Sequence, residues 1–401
     1  MADLRYRNAR DPADRLGQVF TPHAIAELLA EALSTDSECA VHVLDLGAGR
    51  GALANALLEK NRKATAVLVE VDAGHVKALK RDSCSRASVI HADALSSLWE
   101  CSRLPTVIVS NPPYGALQAS PETNSMIASS KLPIPLSGVW VRGDAAFVSR
   151  AWGIASMGTK LGLIVASPMI RDFRYRLTRE RFVRELRGLC VTRLDERTFP
   201  NTEVSAFIIT GERAVRRNRN ALLRRVSADG SLLAEIEVAS EDAILSLDID
   251  FHLALQRIGL KGKSISDTLG SVGTVITRGS RSQNEFEKLG LVAFHTSDFP
   301  RKAGPIILAG KVHDSFHVAK PGDILIPRVG SRCLNRQARV EDGYGLFTDC
   351  VYRLTVGRQA MNRVWKTLDS SFGAEWRVIH AGGSCAKHLP IQTLLNMPLL
   401  P

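Results

Sequence analysis

A strand, a glycine turn and a helix follow one another without a gap near the start of the chain. The apolar run 41–46 predicts a buried strand, and the stretch 52–60 predicts a helix. The turn between them contains Gly47, Gly49 and Gly51, and glycines let the backbone approach a ligand closely. This unit is typical of a doubly wound, Rossmann-like α/β domain that binds a nucleotide cofactor.

Glu70, Asp93 and Asn111 each stand at the end of one of the three apolar runs that follow this helix. The runs, which predict further strands, are 64–69, 88–91 and 106–109. The carboxyl ends of parallel strands meet at one edge of a sheet, so we expect the three side chains beside the glycine turn. Glu70 could then accept hydrogen bonds from ribose hydroxyls, and Asp93 from an adenine amine. The alternative for both carboxylates is a solvated position in a loop.

The set of residues, rather than the glycines alone, separates the chain from a nicotinamide dehydrogenase. Such enzymes also use glycines and an acidic residue, but with the spacing G-x-G-x-x-G. Here Asp45 precedes a G-x-G-x-G turn, and polar residues at three later strand ends complete the set.

The tetrapeptide Asn111-Pro112-Pro113-Tyr114 has the groups that hold an exocyclic amine. The amide oxygen of Asn111 and the carbonyl of Pro112 can both accept hydrogen bonds from one NH2 group, while the ring of Tyr114 stacks on a planar heterocycle. Each proline fixes its own φ and lacks an N–H, so the Pro112 carbonyl is held rigidly. The tetrapeptide therefore predicts methylation of an amino nitrogen. An ordinary strand-ending turn is the alternative, because Asn and Pro are common in turns.

Four blocks in a fixed order make the chain resemble the gamma class of N6-adenine DNA methyltransferases, which use S-adenosylmethionine. The blocks are Gly17-Gln18-Val19-Phe20-Thr21-Pro22, the turn that begins at Asp45, the Asn-Pro-Pro-Tyr tetrapeptide, and Arg197-Thr198-Phe199-Pro200 followed by the run 204–210. The resemblance covers residues 15–210. It implies a domain that transfers a methyl group to the N6 atom of a flipped-out adenine.

The resemblance also implies roles for individual residues. Thr21 and Pro22 would help to hold the methionine carboxylate of the cofactor, and Phe199 would form with Tyr114 the two faces of a sandwich around the base. The residues expected to bind S-adenosylmethionine are Thr21, Pro22, Asp45, Gly47, Gly49, Gly51, Glu70, Asp93, Ala94 and Asn111, and those expected to act in catalysis are Asn111, Pro112, Pro113, Tyr114 and Phe199. Thr21-Pro22 could instead cap the helix 24–33, and Phe199 could be an ordinary core aromatic.

The charge of the chain favours a polyanionic partner. Lys and Arg number 52 and Asp and Glu 41, a net charge of +11, which makes nucleic acid the leading candidate. The resemblance to DNA methyltransferases implies that this partner is double-stranded DNA. The seven cysteines form no C-x-x-C pair, so we expect neither a metal site nor a disulfide framework. No run approaches the ~18 apolar residues that cross a bilayer, so no membrane contact is expected and the predicted location is the bacterial cytoplasm or nucleoid.

Two domains are expected from the length of 401 residues. The first, 1–245, would be the methyltransferase domain and ends in a basic connection, 211–245, whose arginines either contact DNA phosphates or form a solvated link. The second, 246–401, resembles a mixed α/β target recognition domain of type I restriction specificity subunits. That resemblance rests on residues 322–326, Gly330 and 389–401. Candidate DNA-reading side chains are Arg278, Arg281, Gln283, Arg328, Arg332, Asn335 and Arg336.

These observations predict a site-specific DNA adenine-N6 methyltransferase of a restriction-modification or phage-defence system, with a cognate restriction endonuclease or another defence subunit as a further partner. The chain has no Pro-Cys nucleophile of a C5-cytosine enzyme, so a direct displacement is expected. Open alternatives are methylation of cytosine N4, of RNA or of a protein glutamine, and a non-catalytic DNA-recognition subunit. The Ser- and Pro-rich segment 116–144 is expected to be a mobile loop that orders over DNA, or a disordered insert.

Overall fold

The computed structural model describes residues 6–7, 19–34, 39–199, 205–215, 220–257, 267–310, 312–313, 315–330, 333–382 and 387–400. Some of the predicted features lie outside these ranges, namely Gly17, Gln18, Pro200, the start of the run 204–210, and Arg332. The chain divides into two compact units, called here unit 1 (Met1–Ile249) and unit 2 (Asp250–Pro401).

Unit 1 alternates strands and helices along most of its length. Its strands are β1 (Tyr6–Arg7), β2 (His42–Leu46), β3 (Thr65–Glu70), β4 (Ala87–His91), β5 (Val107–Ser110), β6 (Ala116–Gln118), β7 (Trp140–Arg142), β8 (Lys160–Ala166), β9 (Leu186–Arg193), β10 (Ala206–Arg213), β11 (Asn220–Val226) and β12 (Leu232–Ala239). Its helices are α1 (His23–Ala32), α2 (Ala52–Lys60), α3 (Ala73–Asp82), α4 (Pro121–Ser130), α5 (Gly143–Ile154), α6 (Ser167–Arg171), α7 (Arg176–Glu185) and α8 (Ser240–Leu245), with a 3-10 helix at Phe173–Tyr175.

Nine of these strands form one sheet in the order β12-β11-β9-β10-β8-β5-β2-β3-β4. Within it β4, β3, β2, β5 and β8 are parallel neighbours, whereas β10 runs antiparallel between β8 and β9. Helices lie in the connections from β2 to β3, from β3 to β4 and from β5 to β8, whereas β4 is joined to β5 by a segment without a helix. Unit 1 is therefore a Rossmann-like α/β domain, which confirms the predicted fold class.

The segment 116–144 forms regular elements, so both the mobile loop and the disordered insert are wrong descriptions of it. β6 pairs with β1 on one side and with β7 on the other, and α4 lies between β6 and β7. The Ser120 side chain caps α4 by accepting a hydrogen bond from Thr123 N, and Pro121 occupies the first turn. Ser120 and Pro121 begin a helix here, and composition alone does not distinguish a helix start from a loop that contains the same residue types.

The basic connection 211–245 forms the sheet edge β11–β12 and helix α8. Arg213 is buried, pairs with Glu185 at 2.7 Å, and lies 3.9 Å from the centre of the Trp152 ring. Arg224 pairs with Glu235 across the hairpin at 2.6 Å. A buried, neutralised arginine is not available to a phosphate, so the prediction that this segment's arginines contact DNA is wrong for Arg213.

Unit 2 is a mixed α/β structure around a second sheet. Its helices are α9 (Ile249–Arg257, which begins one residue before the unit), α10 (Gln283–Lys288), α11 (Arg358–Asp369), α12 (Ser371–His380) and α13 (Ile391–Leu395). Its strands are β13 (Val275–Arg278), β14 (Ala293–Phe294), β15 (Gly304–Ala309), β16 (Val318–Ala319), β17 (Ile324–Pro327), β18 (Ala338–Phe347) and β19 (Val351–Thr355). They form a sheet in the order β13-β19-β17-β18-β14, with β15 and β16 also pairing with β18.

Across the described ranges, no helix is both long and apolar enough to span a membrane.

A buried arginine on α7, Arg179, forms hydrogen bonds to backbone groups in or next to α6 and α8. The guanidinium of Arg179, 1% exposed, donates hydrogen bonds to the carbonyls of Met169, Asp172, Ile244 and Leu245. Burial lowers its pKa to about 10, so it keeps its charge at neutral pH. Four carbonyl groups in and after α6 and at the end of α8 therefore share one side chain as a donor, and the Asp172 carbonyl accepts in addition from Tyr175 N.

Arg179→Met is expected to lower the free energy of unfolding by roughly 3 kcal/mol, because four carbonyls each lose a hydrogen bond from a buried guanidinium. Urea unfolding followed by circular dichroism measures the change. Arg176→Met, at an exposed position on the same helix, is the control and should cost less than about 0.5 kcal/mol. Equal stability of the two variants would contradict this role for Arg179.

Candidate functional site

The glycine turn between β2 and α2 has a backbone that only glycine adopts readily. Gly47, Gly49 and Gly51 have φ values of +71°, +54° and +77°. A Cβ on Gly51 would lie 2.9 Å from a methyl carbon of Leu79, and one on Gly47 would lie 3.0 Å from the ring of Phe147. Both conformation and space therefore require glycine here, and no Cβ at these three positions blocks the approach of a ligand to the backbone.

Glu70, the last residue of β3, is buried at 3% exposure and holds this turn. One carboxylate oxygen accepts a hydrogen bond from Gly49 N at 2.7 Å, and the other accepts from Val71 N and Asp72 N, both at 2.8 Å. The solvated position considered for Glu70 is therefore wrong. A carboxylate has about four acceptor positions, so three bonds leave room for a hydroxyl donor.

Asp45 lies beneath the turn with one oxygen unpaired. Its carboxyl group is 1% exposed, and Oδ2 accepts a hydrogen bond from Ala54 N at 3.3 Å, while Oδ1 has no partner. Burial raises the pKa of Asp45 to about 7, and the neighbouring Glu70 carboxylate adds to the rise. An orphaned acid oxygen beside a glycine turn fits a cofactor with a protonated amino group, such as S-adenosylmethionine.

The third predicted acid, Asp93, forms a turn after β4. Its Oδ1 accepts a hydrogen bond from Leu95 N at 3.0 Å, and its backbone carbonyl accepts one from the indole N–H of Trp99 at 2.9 Å. Ala94 and Leu95 are buried behind it. Asp93 itself is half-buried at the same sheet edge as Glu70, one strand further out.

Asn111 follows β5 directly and has its amide group fixed in one orientation. Its Nδ2 donates to the carbonyl of Val19 and to Oγ1 of Thr21, both at 2.9 Å, and the hydroxyl of Tyr114 donates to its Oδ1, also at 2.9 Å. The Val19 carbonyl only accepts, so Nδ2 must face it and Oδ1 must face away. Thr21 thus contacts Asn111 and does not cap α1, whose N-cap residue is Pro22.

The aromatic rings of the third and fourth blocks, Tyr114 and Phe199, lie in one buried cluster. Tyr114 is 7% exposed and Phe199 is 3% exposed, and both belong to the core of unit 1 beside Val19. Pro112 is buried and Pro113 half-buried between the amide and the tyrosine. Burial raises the pKa of Tyr114, and the Asp144 carboxylate raises it further, so the phenol stays protonated and able to donate.

Sequence reasoning missed three side chains around the glycine turn. Phe20 is 39% exposed, has the Arg50 guanidinium 4.3 Å above its ring, and would lie 3.6 Å from a Cβ on Gly49. Phe147, on α5, packs on Gly47 from the other direction. The position of Phe20 in the block that ends in Thr-Pro is a usable signal, whereas nothing in the sequence around Phe147 indicates this contact.

A cavity of about 370 Å³ in unit 1 lies elsewhere. It is lined at the amino ends of β2, β3 and β4 by residues that include His42, Thr65 and Ala87. None of the predicted site residues lines it. The parallel strands separate it from the turn, so the chemistry described above belongs to the opposite edge.

A family model described as methyltransferase small domain matches residues 21–138, the range that contains the glycine turn, Glu70, Asp93 and Asn111. Unit 1 carries a methyltransferase domain. Its cofactor is S-adenosylmethionine. A search of curated protein sequences gives no match to the chain.

Among solved structures, this methyltransferase is similar to the type IIG restriction endonuclease BpuSI, with a TM-score of 0.54 and 12% identity over 98% of this chain. The match spans 59% of the BpuSI chain. It is also similar to the methyltransferase subunit of a type I restriction-modification system from Streptococcus thermophilus, with a TM-score of 0.43 and 16% identity over 61% of this chain and 54% of that one. At this identity the BpuSI likeness concerns the fold alone, and it extends over both units.

Asp45 makes the stability of the methyltransferase depend on pH. Its folded-state pKa of about 7 lies above the ordinary value of 3.8, so the folded state binds the proton more tightly. The stabilisation is complete below pH 3.8 and is lost as the pH rises to about 7, with a slope of up to ~1.4 kcal/mol per pH unit. Urea unfolding between pH 4.5 and 8 should show this fall in the parent protein and not in Asp45→Asn. A difference between the two proteins that does not vary with pH would contradict the raised pKa.

Proposed function

We propose that the chain is a site-specific DNA methyltransferase that acts on the N6 atom of adenine. The observation that carries the proposal is the fixed amide of Asn111, whose Oδ1 is the only amide atom left to face a substrate. An exocyclic amine is a donor, and an amide oxygen with one remaining lone pair is its complement. The Pro112 carbonyl, held by the proline rings, supplies a second acceptor.

The residues of unit 1 would hold the cofactor and the base on adjacent parts of one sheet edge. Asp45 fits the amino group of S-adenosylmethionine and Glu70 fits its ribose hydroxyls, while the three glycines let the backbone of the turn approach the cofactor closely. When bound, S-adenosylmethionine supplies an electrophilic methyl group on a sulfonium. Asn111 and Pro112 would accept the two hydrogens of the amine and so turn its lone pair toward that side. Orientation of this kind accelerates a direct displacement without a covalent enzyme intermediate.

Tyr114 and Phe199 would hold the base once it has left the duplex. Extrusion of a nucleotide costs a few kcal/mol of unstacking and unpairing. Stacking on an aromatic side chain contributes ~1 to 3 kcal/mol per base, so two faces offset that cost. Both rings are buried in the absence of DNA, and the Tyr114 hydroxyl bonds to Asn111, so entry of the base would exchange these contacts for stacking.

We further propose that unit 2 selects the DNA sequence and that the chain serves a restriction-modification or phage-defence system. The net charge of +11 supports a DNA partner. The likeness in fold to a restriction endonuclease over both units supports the setting. The chain spans 59% of that relative, so a nuclease partner or a further subunit of the system belongs to the same proposal.

Asn111→Ala should abolish methyl transfer while leaving the glycine turn intact, because it removes the acceptor that orients the amine. We expect the rate to fall by a factor of about 100 or more. Transfer of tritiated methyl from S-adenosylmethionine to unmethylated bacterial DNA measures it, and long-read modification calling identifies the modified atom and motif. Label at cytosine N4, or no label in DNA from the parent protein, would overturn the adenine assignment or the DNA substrate respectively.

Thr21→Val should lower kcat by roughly 10-fold, because the Nδ2 group of Asn111 loses one of its two acceptors and the amide is freed to turn. Thr21→Ser keeps the acceptor oxygen and is the matched control, expected near the parent rate. Steady-state kinetics separates this role from cofactor binding. If Thr21 serves only to hold the methionine carboxylate, Thr21→Val will raise KM for S-adenosylmethionine with kcat unchanged.

A further inference from the structure

Three strands of unit 2 bring two arginines and one aspartate to the same end of the sheet. β13 and β17 flank β19 and both run antiparallel to it, with Arg278 opposite Tyr352 and Pro327 opposite Val351. Arg278 is the last residue of β13, and Arg328 comes directly after β17. The turn that precedes β19 contains Asp349, so the topology places this carboxylate between the two guanidinium groups.

Asp349 holds both arginines. Arg278 donates through Nη2 to Asp349 Oδ2 at 2.6 Å and through Nε to the Asp349 carbonyl at 3.2 Å. Arg328 donates through Nε to the same carbonyl at 2.6 Å, and its Nη2 lies 3.9 Å from Oδ2. A guanidinium has five N–H donors, so these bonds fix the side chains and leave donors on Arg278 for a ligand.

Arg278 and Arg281 are both exposed, but they differ in the groups that hold them. Arg278 is 51% exposed, whereas Arg328 and Asp349 are 19% and 24% exposed, so an outward-facing arginine is held by half-buried groups. Two cations and one anion leave a charge of +1. Arg281, just before α10, and Gln283, its first residue, instead bond to the exposed side chains of Glu285 and Glu287 on that helix.

We propose that Arg278, held by Asp349 and supported by Arg328, reads a guanine in the major groove of the target site. An arginine fork matches the O6 and N7 acceptors of guanine, and this pair discriminates against other bases at that position. Holding the fork in place before binding removes the loss of side-chain freedom that a mobile arginine undergoes on contact. Asp349 is then a positioning residue. This inference rests on the proposed function, in which unit 2 selects the DNA sequence.

Arg278→Lys separates base reading from phosphate contact, because lysine keeps the positive charge and loses the planar fork. Genomic DNA methylated to a low level by the parent protein and by the variant would be compared by long-read modification calling. We expect one G·C position of the parent motif to accept other bases in the variant, with discrimination at that position reduced roughly 10- to 100-fold. Asp349→Asn should relax the same position to a smaller extent, with thermal unfolding recorded for every variant.

Arg363→Lys is the matched control. Arg363 forms an ion pair with Asp267 in the same unit, on the helix that follows β19 at its other end, and its replacement should leave the motif unchanged. An unchanged motif for both Arg278→Lys and Asp349→Asn would overturn this inference alone. A parent motif without a G·C pair would do the same. Absence of DNA methylation by the parent protein would overturn the proposed function together with the inference.

Discussion

Parallel pairing of β4, β3, β2, β5 and β8 forces the carboxyl ends of five strands onto one edge of the sheet of unit 1. The chain uses this constraint repeatedly, because Asp45, Glu70, Asp93 and Asn111 all stand at such ends. Residues that are far apart in sequence become neighbours without any dedicated contact between them. The chemistry of the site is therefore a consequence of strand register, and a slip in register would scatter it.

Within that edge, two buried acids have different tasks because their surroundings differ. Glu70 accepts three backbone hydrogen bonds and holds the glycine turn in place. Asp45 accepts one bond and keeps an unpaired oxygen, and burial, followed by the nearby Glu70 carboxylate, raises its pKa. Burying an acid oxygen without a hydrogen-bond partner costs free energy, and a ligand with a positively charged group would remove that cost. The arrangement favours the cofactor-bound state.

The sequence predicts most of what local pattern and spacing determine. The helix at 52–60 has those bounds in the structure, the strands at 41–46 and 106–109 shift by one residue, and the glycines have the left-handed φ that their spacing suggests. Contacts between distant segments were not predictable in the same way. Asn111 bonds to Val19, which lies 92 residues earlier in the chain, and Phe147 packs on Gly47, which is also distant in sequence. No local sequence pattern indicates either of these partners. The prediction for the segment 116–144 was wrong for a different reason, because the residue types that begin a helix, such as Ser and Pro, are also common in loops.

The hydrogen bonds from Val19 and Thr21 to Asn111 join the beginning of the described chain to the middle of the sheet. A partly folded chain can form the strand, glycine turn and helix of the cofactor half from residues close in sequence. The amide of Asn111 nevertheless lacks these two partners until the segment before α1 has docked. Under the proposed function, completion of the fold and competence for chemistry are then one event, because a methyl donor bound by an immature chain has no oriented acceptor beside it.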